Sequence, residues 1–486
     1  MGGVMKEERG TDTRRRALAV CLVSAFMTGL DVSIVNVALP SIKAGLHASE
    51  DGLQWTLSGY ALTFGLLLVP AGRLGDARSR RTIFLWAVVL FTLSSAFCGF
   101  AWNMNVLIAA RLVQGMAAGM LNPQVSGLIQ QMFHGYERGR AFGALGATIG
   151  VSTAAGPLIG GALVTVFGAD HGWRWVFLVN LPIGLALLPL AYRLLPRPQY
   201  VHSRPESMDP VGVLLLGVGV AGLLLPFIQR HQWEGAAKWL LVPAALLVLA
   251  GFVTWERFYR REPLVKLELF RKRSYSLGSA IALFYFAGFT GIFFIFTLYL
   301  QSGHGYSPLQ AGLAITPFAL GSASAAMVGG HLVSRMGRRL VAIGLSMVIV
   351  GLLATMAATA LVPGAATGLA TALPLLVAGT GSGLVISPNQ AITLSEVPPS
   401  GGGSAAGVLQ TGQRLGSAIG IAAAGTTFFG SLDEGWAAAF RHGLVVVLSS
   451  VCIALAAALY DLVRSHRDQD RVTTRESTPP APDRGP

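Results

Sequence analysis

The sequence predicts an all-α integral membrane protein with fourteen transmembrane helices. Of its 486 residues, 53% are hydrophobic and only 12% are charged, and the mean hydropathy is +0.59. A soluble domain carries about a quarter charged residues, so this composition excludes a soluble enzyme. Apolar runs of at least about 18 residues recur along the chain, and each is long enough to cross a hydrocarbon core of about 30 Å.

Fourteen apolar spans can be placed on the sequence by their length and composition. The first run is too long for the core of a signal peptide and lacks a clear small-residue cleavage site, so we expect it to remain as the first membrane helix. The spans cover residues 17–40, 54–74, 82–101, 106–130, 141–167, 175–195, 210–229, 237–256, 276–301, 309–332, 340–360, 368–393, 404–430 and 436–460.

The net charge of +13 is distributed unevenly across the predicted membrane. If the N-terminus is cytoplasmic, 29 of the 36 Lys and Arg residues fall in inner segments, five fall outside, and Arg111 and Arg414 lie within spans. Such a bias is the positive-inside signal of membrane proteins. It predicts a multi-pass plasma-membrane protein with both termini in the cytoplasm. The positive charge is then expected to set the topology in the membrane and to contact anionic lipid, and no nucleic-acid partner is expected.

An internal repeat divides the chain into two halves. Residues 72–81 (GRLGDARSRR) and 330–339 (GHLVSRMGRR) share Gly, Leu and the final Arg-Arg pair at an offset of 258 residues. The same offset carries helices one, three, four and six of the first half onto or close to spans of the second half. Parallel repeats of six spans, with a substrate site between them near the midplane, are the architecture of one class of transporters.

The repeat predicts five regions, and we expect the protein to act as a monomer. Charged residues and three prolines favour disorder at the C-terminal end. The regions are a cytoplasmic tail (1–16), an N-terminal six-helix bundle (17–195), a linker with two extra transmembrane helices (196–274), a C-terminal six-helix bundle (275–460) and a disordered cytoplasmic tail (461–486).

Several ordered motifs resemble those of the major facilitator superfamily. Residues 72–81 resemble its signature loop between helices two and three, and residues 107–115 (LIAARLVQG) resemble its helix-four motif. Residues 30–40 and 173–184 are similar to stretches of its fourteen-helix drug:proton antiporter subfamily. The helix-five motif of its exporters and antiporters is matched by Gly150, Gly156, Pro157, Gly160 and Gly161.

The resemblance implies the major facilitator fold, with two six-helix bundles in parallel repeat and two extra central helices. It also implies a proton-driven efflux transporter that exports a small amphipathic compound, such as an antibiotic or secondary metabolite, and so confers resistance. The expected partners are the small-molecule substrate, protons and the lipid bilayer. The proton gradient is the implied energy source, and no cofactor is expected.

Two other functions compete with this interpretation. The first is a proton-coupled uptake carrier of the same fold, and the helix-five motif argues against it. The second is a membrane-embedded transferase, which needs acidic or metal-binding loops, whereas the longest loops here are basic. The three cysteines are too far apart in sequence to form a metal motif, so we expect no metal site.

Two ionisable residues within spans are predicted to carry proton coupling. Such groups cost at least a few kcal/mol in the bilayer, which makes them functional candidates. Helix rise puts Asp31 and Arg111 each about 9 Å below the outer surface of the core, so they can meet at one depth. We expect Asp31 to carry or modulate the exchanged proton, with Arg111 and Gln114 as its relay. The alternative is a static pair that only orients helices.

The substrate cavity is predicted to combine polar and aromatic groups. Arg414 lies about 15 Å into its helix, and no acid lies deep in helices nine to fourteen to neutralise it. It either binds an anionic or carbonyl-bearing part of the substrate, or pairs with a backbone carbonyl or with Asp31. The aromatic residues of helix nine either line an adaptable cavity or face the core and lipid. The candidate cavity residues are Asn36, Arg414, Gln413, Tyr285 and Phe289.

Two further motifs are predicted to govern conformational change. In the first loop, Gly72, Asp76, Arg80 and Arg81 are expected to build a charge network, with the carboxylate at a neighbouring helix N-terminus. The second loop has the matching Gly330 and Arg338 but has serine in place of the acid. We therefore expect it to stabilise one conformation of the transporter less strongly than the first loop does. The helix-five glycines are expected on related faces, either as a seal against leak or as plain close packing.

Overall fold

A computed structural model of the chain describes residues 2–168, 170–197, 209–228, 236–259 and 263–476. This part of the chain is helical throughout apart from short turns, and no strand occurs in it. The α-helices in chain order are α1 (Gly2–Leu46), α2 (Glu50–Ala77), α3 (Arg80–Gly99), α4 (Met104–Met132), α5 (Gly135–Phe167), α6 (Gly172–Leu178), α7 (Asn180–Leu194), α8 (Pro210–Ile228), α9 (Leu241–Phe258), α10 (Arg273–Leu298), α11 (Pro308–Met336), α12 (Arg338–Leu361), α13 (Thr367–Ala370), α14 (Ala372–Thr393), α15 (Gly402–Gly430) and α16 (Trp436–Glu476).

Eleven helical segments within the described ranges are long and apolar enough to cross a membrane. A shorter apolar run, Pro210–Pro226, lies in α8. Two further helices, α14 and α15, contain 22 and 29 residues but are not among the eleven, because neither contains a stretch that is apolar enough over the length of a span. Each of the fourteen spans predicted from sequence therefore overlaps helical structure, and eleven have the apolarity of a clear membrane span.

The helices form two bundles with matching internal contacts. In the first bundle α2 and α3 pack against α4, and α1 packs against α5. In the second bundle α11 and α12 pack against α14, and α10 packs against α15. The bundles meet where α5 packs against α11 and where α2 packs against α15. We call these two contacts the seam. The packing follows the sequence repeat.

Small residues allow the helices to approach closely. A Cβ added to Gly420 of α15 would clash with the carbonyl oxygen of Ala287 on α10, and one added to Gly379 would clash with Phe318. Lipid tails are as apolar as leucine, so hydrophobic burial gives little net drive for helix association in a membrane. Close van der Waals packing through such glycines therefore supplies much of the attraction between these helices.

The two extra helices lie beside the seam. The helices α8 and α9 pack on each other, and α8 contacts both α2 and α15. Four buried apolar side chains close this contact, namely Val69, Phe252, Leu264 and Val265, with Val408 of α15 packed against them.

The C-terminal end differs from the sequence prediction. A disordered tail is predicted from residue 461, whereas α16 continues to Glu476. Asp461 is buried, and its two carboxylate oxygens pair with Arg273 at 3.0 Å and with Arg338 at 2.8 Å. Because these two arginines fix Asp461 within the bundle, the helix extends past the predicted boundary. Residues 477–486 lie outside the described ranges.

Candidate functional site

Asp31 and Arg111 form a buried ion pair between α1 and α4. Nη1 of Arg111 lies 2.7 Å from Oδ2 of Asp31, and neither side chain is more than 1% exposed. The sequence predicted that the two groups meet at one depth, and this geometry is confirmed. Burial of both charges together is far less costly than burial of either one alone.

Two amides complete the hydrogen bonding of the Asp31 carboxylate. Gln114 Nε2 donates to Oδ1 at 2.8 Å, and Asn180 Nδ2 donates to the same oxygen at 3.1 Å. Gln114 Oε1 also accepts from Arg111 Nη1 at 2.8 Å. We call Asp31, Arg111, Gln114 and Asn180 the charge cluster. Sequence reasoning missed Asn180, and its signal was an amide within the otherwise apolar run 175–184.

The Arg111 guanidinium is also held from α2. Its Nε donates to the carbonyl oxygen of Thr56 at 3.1 Å, and its central carbon lies 4.1 Å from the centroid of the Tyr60 ring. A guanidinium over an aromatic face is stabilised by the ring quadrupole. Asn180 in turn donates to Ser95 Oγ of α3 at 3.1 Å. The charge cluster thus joins five helices: α1, α2, α3, α4 and α7.

The stability of this arrangement depends on the protonation state of Asp31. With Asp31 ionised, the carboxylate and the guanidinium neutralise each other. Protonation of Asp31 leaves Arg111 with only neutral acceptors, Thr56, Gln114 and the Tyr60 ring, as partners. A buried net charge in a medium of low dielectric constant is unfavourable. Proton uptake is therefore chemically linked to movement of Arg111 or of the helices that hold it.

The C-terminal bundle has aromatic rings where the first bundle has the ion pair. The offset of 258 residues aligns Phe289 with Asp31. Phe289 packs against Tyr285, Phe293 and Phe318, with ring centroids 5.8, 5.0 and 5.8 Å away. Tyr285, predicted to line a cavity, is 2% exposed and lies in the packed core. Phe289 remains half-buried.

Arg414 of α15 reaches the other bundle at the seam. Its guanidinium carbon lies 4.2 Å from the centroid of Phe64 on α2, and its side chain is exposed. Asn36 is also exposed, and Gln413 is half-buried. Within the described ranges, Arg414 makes neither of the two protein contacts predicted for it, a backbone carbonyl bond or a pair with Asp31. Its charge is therefore accessible to a ligand.

We call the bundle end formed by the α2–α3 and α11–α12 turns the Arg-rich end. Asp76 closes this end. Its carboxylate accepts from Gly403 N at 3.0 Å, Ser404 N at 2.8 Å and Ser404 Oγ at 3.0 Å. It also pairs with Arg80 at 2.6 Å. These contacts put a negative charge at the N-terminus of α15, where the helix dipole favours it. The predicted position of Asp76 at a neighbouring helix N-terminus is confirmed.

The neighbouring arginines of this loop have different partners. Arg80 donates to Gly127 O of α4 at 2.9 Å and to Pro399 O of the other bundle. Arg81, predicted in the same network, instead donates to Tyr192 O, and its guanidinium lies 4.9 Å from the Tyr192 ring. Consecutive helical residues point about 100° apart, so Arg80 and Arg81 face different helices.

Glycine packing supports this closure on both sides of the seam. A Cβ on Gly72 would clash with the carbonyl oxygen of Gly403. A Cβ on Gly330 of α11 would lie 2.7 Å from Gly139 O and 2.8 Å from Gly143 Cα of α5. Such distances leave no room for a side chain, so backbone meets backbone at both crossings.

The second loop is tied within its own bundle. Arg338 Nε donates to Asp461 at 2.8 Å, and its Nη1 donates to Asn389. Asn389 aligns with Gln131, which accepts from Arg80 at 3.4 Å, at the same offset of 258 residues. Ser334 stands where the first loop has Asp76. In the described structure the first loop therefore joins the bundles by charge, and the second joins them by glycine packing.

Uncharged polar residues add contacts between the two bundles, from α4 to α14 and α15. Ser126 Oγ accepts from Gln390 and from Gln410, each at 3.1 Å, and Gln130 donates to Gly402 O at 3.3 Å. Sequence reasoning did not assign these residues. Amides within apolar helices were the available signal, because buried polar groups in a membrane require partners.

The helix-five glycines lie on different faces of α5, so the predicted related faces are wrong. Gly156 and Gly160 face α1, where added Cβ atoms would clash with Ser33 Oγ and lie 2.9 Å from Ile34. Gly150 faces Ala323 of α11 at 3.1 Å, and Gly161 has no neighbour within 4 Å. A step of six residues turns a helix by about 240°. Pro157 contacts the α11 side, where a Cβ on Gly312 would lie 3.5 Å away.

Two matched helical bundles around a shared seam, with a buried ion pair in the first of them, have the architecture of one class of membrane transporters. The chain belongs to the major facilitator superfamily, since the sequence profile described as Major Facilitator Superfamily matches residues 21–421. It is therefore a multi-pass membrane protein of a transporter family. The described residues contain no group of three or more His, Cys, Asp or Glu side chains that could hold a metal ion.

Two named relatives support this membership, and one solved structure supports the fold. The chain is 38% identical over 426 residues to the probable actinorhodin transporter of Streptomyces coelicolor, covering 87% of this chain and 73% of that protein. It is 32% identical over 415 residues to the tetracenomycin C resistance and export protein of Streptomyces glaucescens, covering 84% and 74%. The superfamily proton:xylose symporter XylE matches with TM-score 0.65 and 16% identity, covering 93% and 95%, which supports the fold alone.

Proposed function

We propose that the chain is a proton-driven efflux transporter, a drug:proton antiporter. Its cargo is a small amphipathic compound such as an antibiotic or secondary metabolite, and its export confers resistance. The observation that carries the proposal is the buried charge cluster, which provides one exchangeable proton in a transporter fold. Two relatives are named as a transporter of actinorhodin and an exporter of tetracenomycin C, which supports export of such compounds.

The proposed arrangement in the membrane follows the charge distribution. We assign all fourteen helical spans to the bilayer, as in the fourteen-helix antiporter subfamily, with α8 and α9 as the two extra central helices. The Arg-rich end is assigned to the cytoplasm because 29 of the 36 basic residues fall in sequence segments predicted for that side. Both termini then lie in the cytoplasm of a plasma-membrane monomer. The proton gradient supplies the energy, and no cofactor is proposed.

The helix α2 links proton exchange to access. Thr56, Tyr60, Phe64, Gly72 and Asp76 follow one another along this helix at steps of four or eight residues, and these positions wind around it by about 40° per four residues. Thr56 and Tyr60 contact Arg111, Phe64 lies under Arg414, and Gly72 and Asp76 close the Arg-rich end. A shift of α2 that follows protonation of Asp31 therefore reaches the cargo arginine and the Asp76 contacts together.

The structure represents the state closed to the cytoplasm in this proposal. Asp76, Ser126 and Gln130 all bridge the bundles toward the Arg-rich end. Toward the opposite end, Asn36 is exposed and Gly161 has open space around it. Asp31 is buried in this state, so we propose that it exchanges its proton with the outside when water reaches the charge cluster from that end, and that opening of the Asp76 contacts delivers the proton to the cytoplasm.

Transport in sealed vesicles tests the function. The intact chain is reconstituted with a trapped pH dye, and fluorescent amphipathic compounds of anionic, zwitterionic, neutral and cationic charge are offered. We expect an imposed proton gradient to drive at least one compound opposite to the proton, and a protonophore to abolish the accumulation. Movement of compound and proton in the same direction contradicts antiport and indicates the uptake carrier.

Arg414 is proposed to select anionic or carbonyl-bearing cargo. Loss of a charged hydrogen bond costs about 1.5–3 kcal/mol, which is about tenfold to over a hundredfold in affinity. We therefore expect Arg414→Ala to weaken binding of anionic compounds by that factor and to leave neutral compounds within about twofold. Arg441→Ala, at an exposed arginine of α16, is the matched control. Unchanged affinity for anions in Arg414→Ala contradicts the assignment.

A further inference from the structure

Two acids of the extra helices meet beside α2. Asp209 lies directly before α8, and Glu256 lies near the end of α9; they are 2% and 5% exposed. Both carboxylates converge on Gly212. A Cβ placed there would clash with Asp209 Oδ2 and lie 3.1 Å from Glu256 Oε1. Neither acid belongs to a motif of the repeat, and neither contributes to the charge cluster.

The hydrogen bonds of the pair leave one oxygen without a partner. Asp209 accepts from Gly212 N at 3.0 Å and from Trp255 Nε1 at 2.8 Å. Glu256 Oε1 accepts from Leu264 N at 3.1 Å. The buried Oε2 of Glu256 has no hydrogen-bond partner in the described structure. An ionised carboxylate with a buried, unsatisfied oxygen is unfavourable, whereas a proton on Oε2 removes that charge.

Among the residues that the structure describes, the charged groups that face Glu256 are Asp209 and Arg73. Arg73 lies on α2 and is 4% exposed. With both acids ionised, these three groups carry a net charge of −1, and with one proton bound they carry none. Two carboxylates that share a buried site disfavour double ionisation. The three groups together are thus suited to holding one proton.

We propose that Asp209 and Glu256 form a second proton-binding site, separate from Asp31, that holds its proton at Glu256. The site senses pH at the Arg-rich end. It lies on α8 and α9 where they pack on α2, and Val69, Phe252, Leu264 and Val265 seal this contact. Loss of the proton leaves two ionised carboxylates side by side in the contact, and their repulsion loosens the extra helices from the seam. The site does not depend on the direction of transport.

Infrared spectroscopy of the intact chain in lipid nanodiscs tests the site. Exposed carboxyls ionise near pH 4, so a protonated carboxyl band that persists at about pH 6 reports buried acids. We expect Glu256→Gln to remove one such band that Asp31→Asn leaves in place. Glu268→Gln, at an exposed acid shortly after α9, is the control and is expected to match the wild-type spectrum.

A second variant keeps the proposal testable where Glu256→Gln does not fold. Asp209→Asn removes the neighbouring negative charge, so Glu256 is expected to release its proton at lower pH, and the titration of the band shifts accordingly. A Glu256→Gln spectrum identical to the wild type overturns the site, as does an unshifted titration in Asp209→Asn. Neither result bears on antiport, which depends on Asp31 and is measured separately as cargo-driven proton flux.

Discussion

Asp31→Asn is expected to abolish cargo-driven proton movement per folded protein, although it leaves Arg111 buried without its acid, at a cost of about 3–5 kcal/mol. The asparagine side chain has nearly the same shape and keeps an oxygen that accepts from Gln114 and Asn180, but it cannot bind and release a proton. Cargo binding is expected to persist because Arg414 lies on the other bundle. In proteoliposomes with a trapped pH dye, proton flux on addition of cargo should fall to that of empty liposomes.

Arg111→Ala is the companion variant and separates proton exchange from helix orientation. It leaves the Asp31 carboxylate buried without its guanidinium, and breaking a buried pair costs about 3–5 kcal/mol, so a lower folded yield is expected. Flux is therefore normalised to folded protein. Asp433→Asn, at an exposed acid beyond α15, controls for loss of a carboxylate. Wild-type coupling in both Asp31→Asn and Arg111→Ala contradicts proton exchange and leaves a static pair that orients helices.

Asp76→Asn is expected to open the Arg-rich end and to lower transport strongly. The substitution removes the charge that pairs with Arg80 and accepts three hydrogen bonds from Gly403 and Ser404. Arg80 is then buried with no acid beside it, at a cost of about 3–5 kcal/mol to the closed state. A shift of that size moves a two-state equilibrium by more than a hundredfold.

Distance measurements between spin labels test this prediction. Labels at Arg78 in the α2–α3 turn and at Ser400 just before α15, both exposed, should report a longer distance in Asp76→Asn than in the wild type. Asp51→Asn makes the same substitution at the exposed opposite end of α2 and is expected to change neither distance nor transport. An unchanged distance distribution in Asp76→Asn shows that its carboxylate does not hold the closed state.

Much of the architecture follows from sequence because it depends on lengths and offsets along one axis. Helix rise sufficed to place Asp31 and Arg111 at one depth, and the structure has them in contact. The repeat of 258 residues aligned Arg80 with Arg338, and both arginines donate to amides at matching positions. Membrane helices cross a slab of fixed thickness, so position along the chain translates directly into depth.

Several predictions that depended on the direction in which a side chain points were wrong. Tyr285 faces the core, Arg81 faces α7, and Gly150 lies away from Gly156, because a helix turns about 100° per residue. Partners that are far apart in the sequence could not be predicted from it either. Asp461 neutralises Arg338 across 123 residues of sequence, and Asp209 meets Glu256 only because α8 and α9 pack together.

The accessible guanidinium of Arg414 favours anionic cargo, and the charge of the cargo sets how much the membrane potential contributes to export. Export of a monoanion in exchange for one entering proton moves two positive charges inward in each cycle. The membrane potential contributes about 2.3 kcal/mol per elementary charge per 100 mV, so it would supply about 4.6 kcal/mol per cycle at 100 mV. A neutral cargo would gain half of that, and a monocation none. Membrane voltage would then favour export of the anions that Arg414 is suited to bind.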